Sequence, residues 1–368
     1  MIPISKPLIE KEEIDAVVEV MKSGMIAQGP KTAEFENMFA QYCGTKHAIA
    51  FSNGTTAIHA GVIASGFKDD DEAITVPFTF VATANPVVME RGKVVFVDIC
   101  EDDFCIDPSK IEEKITNKTK LIIPVDLYGQ VYRYSEVKEI ADKHNIKILE
   151  DACQAIGAEQ DGKRAGKFGN SAAFSFYATK NVMTGEGGML VTDDDEIARK
   201  AKIYRHHGQD EAIRYEYLEL GTNYRMTDIA SAIGVEQLKK IDRITEARRE
   251  SAKLLTEGLS GITGIVVPKI MDGNTHVFHQ YTIRITEEFG HTRDELMNFL
   301  RENEIGCGVY YPKPLHLHEH FRKMGYKEGD FPVAEKLSKE VLSLPVNPFV
   351  TKEEAEKIVD TIKNFHKK

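Results

Sequence analysis

The segment Ser171-Ala-Ala-Phe-Ser-Phe-Tyr-Ala-Thr-Lys180 runs from an apolar, strand-like stretch onto a lysine, and the glycine-rich turn Gly185-Glu-Gly-Gly188 follows it. Lysine is rarely buried without a purpose. At a strand end it can be desolvated, lose its proton and act as an amine nucleophile toward a carbonyl. A surface lysine on a loop is nevertheless the safer interpretation of any single lysine. Lys180 therefore needs support from other segments.

Short apolar runs alternate with longer amphipathic stretches on both sides of this segment. The predicted strands are 48–52, 72–76, 94–98, 120–125, 146–149, 172–176 and 188–191, with helices at 56–65, 85–90 and 134–144. Short buried strands separated by helices imply a mainly parallel sheet with helices on both faces. The sequence thus predicts an α/β fold for the first two thirds of the chain.

The last third has a different pattern. Residues 227–256 are helical and heavily charged, which predicts one long solvent-facing helix joining two domains. Strands at 264–268 and 279–285 and helices at 292–303 and 351–366 follow, as in a smaller α+β domain. We expect a large domain over residues 1–245 and a small C-terminal domain over residues 246–368.

Composition limits the classes of function. The formal net charge of −11 argues against binding nucleic acid or an anionic membrane through bulk electrostatics, although a local pocket can still be basic. The five cysteines are scattered and form no CxxC pair, which favours a reducing compartment. Neither a signal peptide nor a membrane-spanning run is visible, so we expect a cytoplasmic protein.

Two further segments carry polar groups at predicted strand ends. In Phe51-Ser-Asn-Gly-Thr-Thr-Ala-Ile-His59 a strand turns at a glycine into a helix, whose first N–H groups can bind an anion. In Ile146-Lys-Ile-Leu-Glu-Asp-Ala-Cys-Gln154 two carboxylates close a buried strand, where a carboxylate can pair with a protonated ring nitrogen. Taken singly, each segment is explained as well by ordinary helix capping.

The three segments together favour one ligand. A phosphate site, a carboxylate and a buried lysine, in that order on one sheet edge, match the phosphate, the pyridine nitrogen and the aldehyde carbon of pyridoxal phosphate.

The sequence also resembles the DegT/DnrJ/EryC1/StrS family, the sugar aminotransferases of fold-type I, nearly from end to end. The motifs that carry the resemblance are Ser23-Gly-Met-Ile-Ala-Gln-Gly-Pro30, Ser52-Asn-Gly-Thr-Thr56, Val76-Pro-Phe-Thr-Phe-Val-Ala-Thr83, Leu127-Tyr-Gly-Gln130, Glu150-Asp-Ala-Cys-Gln-Ala-Ile-Gly157, Ser175-Phe-Tyr-Ala-Thr-Lys-Asn181, Gly221-Thr-Asn-Tyr-Arg-Met-Thr-Asp228 and Tyr311-Pro-Lys-Pro-Leu-His316.

The resemblance implies that pyridoxal 5'-phosphate is the cofactor, that Lys180 is the catalytic residue that carries it, and that Asp151 pairs with its pyridine nitrogen. The other implied cofactor contacts are Gly54, Thr55 and Ser175 at the phosphate, Phe80 and Gln154 at the ring, and Asn223 from the neighbouring subunit of a homodimer with a shared active site. On the sugar or nucleotide side the resemblance suggests Arg225, Tyr311 and His316.

The implied reaction moves an amino group from L-glutamate to a nucleotide-linked keto sugar by a ping-pong mechanism. Two departures, Tyr177 and Asp126 where many members have His, leave the identity of the sugar open. Transamination of a cyclitol ketone, or a regulatory, non-catalytic role on the same scaffold, are the alternatives. In His316-Leu-His-Glu-His320 alternate residues would share one side only in a strand, whereas the segment follows two prolines and lies beside a helix-like run. We therefore expect histidines that face solvent or substrate and predict no metal.

Overall fold

The computed structural model describes residues 1–209, 213 and 215–367. Its strands are β1 (His47–Phe51), β2 (Glu72–Thr75), β3 (Lys93–Phe96), β4 (Thr119–Ile122), β5 (Lys147–Asp151), β6 (Glu159–Gln160), β7 (Lys163–Arg164), β8 (Ser171–Ser175), β9 (Gly188–Thr192), β10 (Ile265–Val266), β11 (Asn274–Thr275), β12 (Tyr281–Ile285) and β13 (Val341–Leu344). Its helices are α1 (Lys11–Ser23), α2 (Pro30–Cys43), α3 (Gly54–Ala64), α4 (Asn85–Met89), α5 (Tyr134–His144), α6 (Asp195–Arg205), α7 (Asp228–Lys239), α8 (Ile241–Leu259), α9 (Arg293–Glu302), α10 (Glu319–Arg322), α11 (Pro332–Glu340) and α12 (Lys352–His366).

The central sheet confirms the predicted α/β class. It has seven strands in the order β1-β9-β8-β5-β4-β2-β3. Strands β3, β2, β4, β5 and β8 are parallel, whereas β9 is antiparallel to both of its neighbours, β8 and β1. Strands β1, β5 and β8 therefore point the same way, and their carboxyl ends lie at one edge of the sheet. Ligands bind at this edge in open α/β sheets.

Burial explains why the strands read as apolar runs. Every residue of β2, β8 and β9 is buried, as expected for strands covered by helices on both faces. Helix α3 packs against β8 and β9, and it is apolar around most of its circumference because α6 and α4 cover its outer side.

The predicted long helix at 227–256 is wrong in one respect, because the structure contains two helices there. Helix α7 ends at Lys239 and α8 begins at Ile241, with Lys240 between them at φ −104° and ψ 0°. The Lys240 ammonium bonds to the carboxylates of Glu10 and Glu13 at 2.8 Å and 2.7 Å. These ion pairs tie the junction to the start of α1, a long-range constraint that helical periodicity does not reveal.

The described residues form two hydrophobic cores. The larger surrounds the seven-stranded sheet and also includes Leu315, Phe331 and Leu337 from the C-terminal third. The smaller joins α8, α9 and α12 to the sheet β10-β12-β13 and takes in Ile2. The chain thus crosses between the cores more than once, and the division at residue 245 stays a prediction. No helix within the described part of the chain is both long and apolar enough to cross a membrane.

Candidate active site

A cavity of about 860 Å³ opens at the sheet edge where β1, β5 and β8 end. Its walls come from segments far apart in sequence: the start of α3, the loop after β2, the ends of β5 and β8, the turn containing Lys180, and residues 279–280 and 310–311. Of the residues predicted from the sequence, it is lined by Gly54, Thr55, Phe80, Asp151, Gln154, Ser175, Lys180 and Tyr311.

Asp151 is the last residue of β5, and only 4% of its surface is exposed. The Thr83 hydroxyl donates to Oδ2 at 2.7 Å, and the Cys153 N–H donates to Oδ1 at 3.2 Å. Both oxygens are thereby fixed in place. A buried carboxylate oriented in this way can hold a protonated ring nitrogen in a set position.

Lys180 closes a turn in which its N–H donates to the Tyr177 carbonyl at 2.8 Å. Desolvation in the cavity wall lowers the pKa of its amine, while the nearby Cys153 thiol and Asp151 carboxylate oppose the shift. A lowered pKa makes the neutral amine more accessible, as a lysine nucleophile or base requires.

The start of α3 faces the cavity with Gly54 and Thr55. The Asn53 side chain accepts from the Thr56 N–H at 2.9 Å and caps the helix. The first N–H groups of a helix lack intrahelical partners, so those of Gly54 and Thr55 remain for a ligand. A Cβ atom on Gly54 would come within 2.7 Å of Ser175 Cβ, which explains the glycine at this position.

Gln154 is held at both ends of its amide. The Tyr128 N–H donates to Oε1 at 2.9 Å, and Nε2 donates to the Tyr311 hydroxyl at 3.2 Å. Burial raises the pKa of Tyr311, which keeps this hydroxyl protonated. The Phe80 ring lies 6.2 Å from the Tyr311 ring and is 56% exposed, so it is free to cover a planar ligand.

Three predicted residues do not line this cavity. Asn223 is exposed, and the Arg225 guanidinium contacts His206 Nδ1 at 2.7 Å. His316 is fully buried, with Nε2 2.9 Å from Glu335 Oε1 and its ring packed against Phe331. The structure thus places His316 in the packing beneath α11 and does not bring it to the cavity.

Thr83 and His279 were not predicted from the sequence, yet both line the cavity. Burial and the positive charges of Lys180 and Arg248 hold the pKa of His279 well below its usual value, so its ring is neutral. Both residues belong to segments noted in the sequence, namely the motif Val76–Thr83 and the predicted strand at 279–285. Their direction toward the cavity depends on the tertiary fold.

Comparison with known proteins shows the family. The sequence matches the DegT/DnrJ/EryC1/StrS aminotransferase family over residues 7–363. The chain belongs to this family. DegT/DnrJ/EryC1/StrS members are aminotransferases, and this chain is accordingly an enzyme of that class.

Similar members of the family include a pleiotropic regulatory protein of Geobacillus stearothermophilus, which is 44% identical, with 97% of this chain and 95% of the relative covered. A GDP-perosamine synthase of Caulobacter vibrioides is 36% identical over 97% of this chain and 96% of the relative. The crystal structure of DesV from S. venezuelae, in complex with a ketimine intermediate, superposes with a TM-score of 0.93 at 33% identity, covering 100% of this chain and 99% of DesV.

Proposed function

We propose that this sugar aminotransferase moves an amino group from L-glutamate to a nucleotide-linked keto sugar, using pyridoxal 5'-phosphate held at Lys180. One observation carries the proposal: Lys180, Asp151 and the start of α3 converge on one cavity although they are far apart in sequence. An amine, a carboxylate and an anion cradle are the three kinds of group that this cofactor needs.

The residues present fit the cofactor. Gly54, Thr55 and Ser175 would hold its phosphate, because all three line the cavity and offer helix-start N–H groups and hydroxyl groups to an anion. Asp151 would hold the pyridine nitrogen in its protonated form, and Phe80 would cover the ring. When bound, the cofactor supplies an electron sink for the carbon from which a proton is removed.

The remaining chemistry belongs to the chain. Lys180 would remove and return the substrate proton, a role for which its lowered pKa suits it. Gln154, fixed by Tyr128 and Tyr311, would hold the ring oxygen. The same cavity would take the donor and the acceptor in turn, which gives a ping-pong mechanism. A keto sugar acceptor agrees with the name of the perosamine synthase relative.

We further propose a homodimer in which Asn223 of one subunit completes the site of the other. Exposed apolar side chains support this proposal, among them Ile14, Val18 and Met21, which lie along one side of α1. Contiguous exposed apolar surface of this kind usually marks a protein interface. Because all five cysteines are free thiols, we place the enzyme in the cytoplasm.

Borohydride reduction followed by peptide mapping tests the assignment of Lys180. Reduction of the holoenzyme should fix the cofactor on the peptide that contains Lys180, and Lys180→Arg should lose the label. Arg keeps the positive charge but cannot make the covalent link. A label on another lysine would overturn the assignment. No label, despite correct folding, would favour a regulatory protein on the same scaffold.

A further inference from the structure

A pair of carboxyl groups lies behind the cavity wall, next to Asp151. Asp126 follows β4 and Glu150 is the penultimate residue of β5, and both are 0% exposed. Tyr132 connects their surroundings, because its N–H donates to Asp126 and its hydroxyl donates to the carbonyl of Phe168, whose N–H donates to Glu150. Each carboxyl group also affects the pKa of the other. Neither forms an ion pair with a cation in the part of the chain that the structure describes. Two buried acids without a cation require an explanation, because isolated buried charge is costly.

The hydrogen-bond donors around the pair are unequally shared. Glu150 accepts from the Gly166 N–H at 2.8 Å and from the Phe168 N–H at 2.9 Å, one on each oxygen. Asp126 Oδ1 accepts from the Tyr132 N–H at 3.0 Å, whereas Oδ2 is buried and has no donor among the described residues. Glu150 therefore has the hydrogen-bond donors that an anion needs. Asp126 Oδ2 is the one oxygen of the pair that lacks such a donor.

We propose that Asp126 is a neutral carboxylic acid whose Oδ2–H donates to the Glu150 carboxylate, and that this acid–anion pair fixes the turn supporting Asp151 and Gln154. One proton between two buried carboxyl groups removes one charge and gives a strong O–H···O⁻ bond. Asp126 does not line the cavity, so it acts as a positioning residue.

Other groups around the pair also favour the bound proton. Besides Glu150, Asp126 faces Asp151, Tyr132 and the thiols of Cys105 and Cys153, all of which are acidic or neutral. Burial first, and the charge of Glu150 second, raise the pKa of Asp126 well above its usual value. Burial also raises the pKa of Glu150, while its hydrogen bonds with Asp126 and with the Gly166 and Phe168 N–H groups oppose that rise. Two carboxyl groups that interact in this way titrate as a unit, and we place the retained proton on Asp126.

The pair is connected to the cofactor-facing residues through the backbone. The Asp126 N–H donates to the Asp151 carbonyl at 3.0 Å, and the Asp151 N–H donates to the Pro124 carbonyl at 2.9 Å. Two residues after Asp126, the Tyr128 N–H donates to the Gln154 amide oxygen at 2.9 Å. Displacing the turn would therefore disturb both residues. This consequence, unlike the shared proton, rests on the proposed function of the site.

Asp126→Asn tests the proton, because Asn keeps the shape and a donor to Glu150 but has no proton to lose. Wild-type protein retains in the folded state a proton that the unfolded chain releases, so its stability falls as the pH rises. Relative to Asp126→Asn, its unfolding constant should increase about tenfold per pH unit between about pH 6 and pH 8. Urea unfolding of the holoenzyme measures this, with the exposed-site variant Asp272→Asn as control. Equal pH dependence in wild type and Asp126→Asn would overturn the proposal.

Infrared difference spectroscopy gives a second readout that does not depend on unfolding. Wild type minus Asp126→Asn should show the C=O stretch of a protonated carboxylic acid at neutral pH, and a spectrum without that band would contradict the shared proton.

Cofactor titration tests the positioning role. Asp126→Ala should bind pyridoxal phosphate about tenfold more weakly, which corresponds to one lost hydrogen bond to a charged group, and Asp126→Asn should restore the affinity. Wild-type affinity in Asp126→Ala would overturn this role. If wild type itself binds no cofactor, the proposed function fails, while the infrared and unfolding measurements still decide the state of the pair.

Discussion

Gly54 is where the fit of the cofactor cradle can be tested most quantitatively. In Gly54→Ala the added Cβ lies 2.7 Å from Ser175 Cβ and 3.3 Å from Cys153 Sγ, well inside the contact distance of about 3.5–4.0 Å. The start of α3 must therefore move away from Ser175. Overpacking of this kind costs about 1–3 kcal/mol. If this whole cost falls on the phosphate-binding conformation of the α3 start, the dissociation constant of the cofactor rises about 5- to 150-fold.

Gly61→Ala is a matched control in the same helix. Its Cβ would press on Leu149 Cδ1 at 2.8 Å and on Leu190 Cδ1 at 3.1 Å, inside the core and away from the cradle. We expect Gly61→Ala to lower the unfolding temperature while the dissociation constant of pyridoxal phosphate stays within about twofold. Titration of the apoenzyme by visible absorbance measures the affinity. Wild-type affinity in Gly54→Ala, or an equal loss of affinity in both variants, would contradict a phosphate site at the start of α3.

Three further predictions concern packing, pH and assembly. His316→Asn should lower the free energy of unfolding by about 1–3 kcal/mol, through loss of the bond to Glu335, and leave the sugar KM unchanged; an increased KM with normal stability would return His316 to the substrate site. Burial lowers the pKa of His276 to about 3, so the unfolded chain binds a proton below about pH 6.5 that the folded chain does not. Below about pH 6.5 the free energy of unfolding of the wild type should therefore fall about 1.4 kcal/mol per pH unit more steeply than that of His276→Gln. Urea unfolding measures both profiles, and parallel profiles would contradict this assignment. Val18→Glu should shift the protein from dimer to monomer in light scattering, because it places a charge on the apolar side of α1, and an unchanged mass would exclude that surface from the interface.

The site residues that the sequence predicts correctly lie at or just after the ends of apolar strands. The apolar runs before Asp151 and Lys180 identified β5 and the strand leading to the lysine turn, and parallel topology then brings their ends to one edge. The helix start at Gly54 was equally visible, because a glycine and two threonines followed an apolar strand. Local sequence pattern is enough to place each of these residues at a strand end or a helix start.

The features that could not be predicted depend on contacts between distant segments. Thr83 reaches Asp151 across 68 positions of sequence, and His279 faces the cavity from beyond the end of α8. His316 lies beside a lining segment, yet its side chain turns toward Glu335. Lys240, which lies between α7 and α8, forms ion pairs with the start of α1. No periodicity in the sequence encodes such pairings.

The central claim is that Lys180 and Asp151 form a working amino-transfer site. The most direct measurement is the visible spectrum of the purified holoenzyme before and after addition of L-glutamate, without any acceptor. We expect a cofactor band that bleaches with glutamate as 2-oxoglutarate appears in equal amount, and that returns on addition of an accepted nucleotide keto sugar. A band that persists at saturating glutamate would contradict the proposed donor, and a protein that forms no band with pyridoxal phosphate would contradict the site itself.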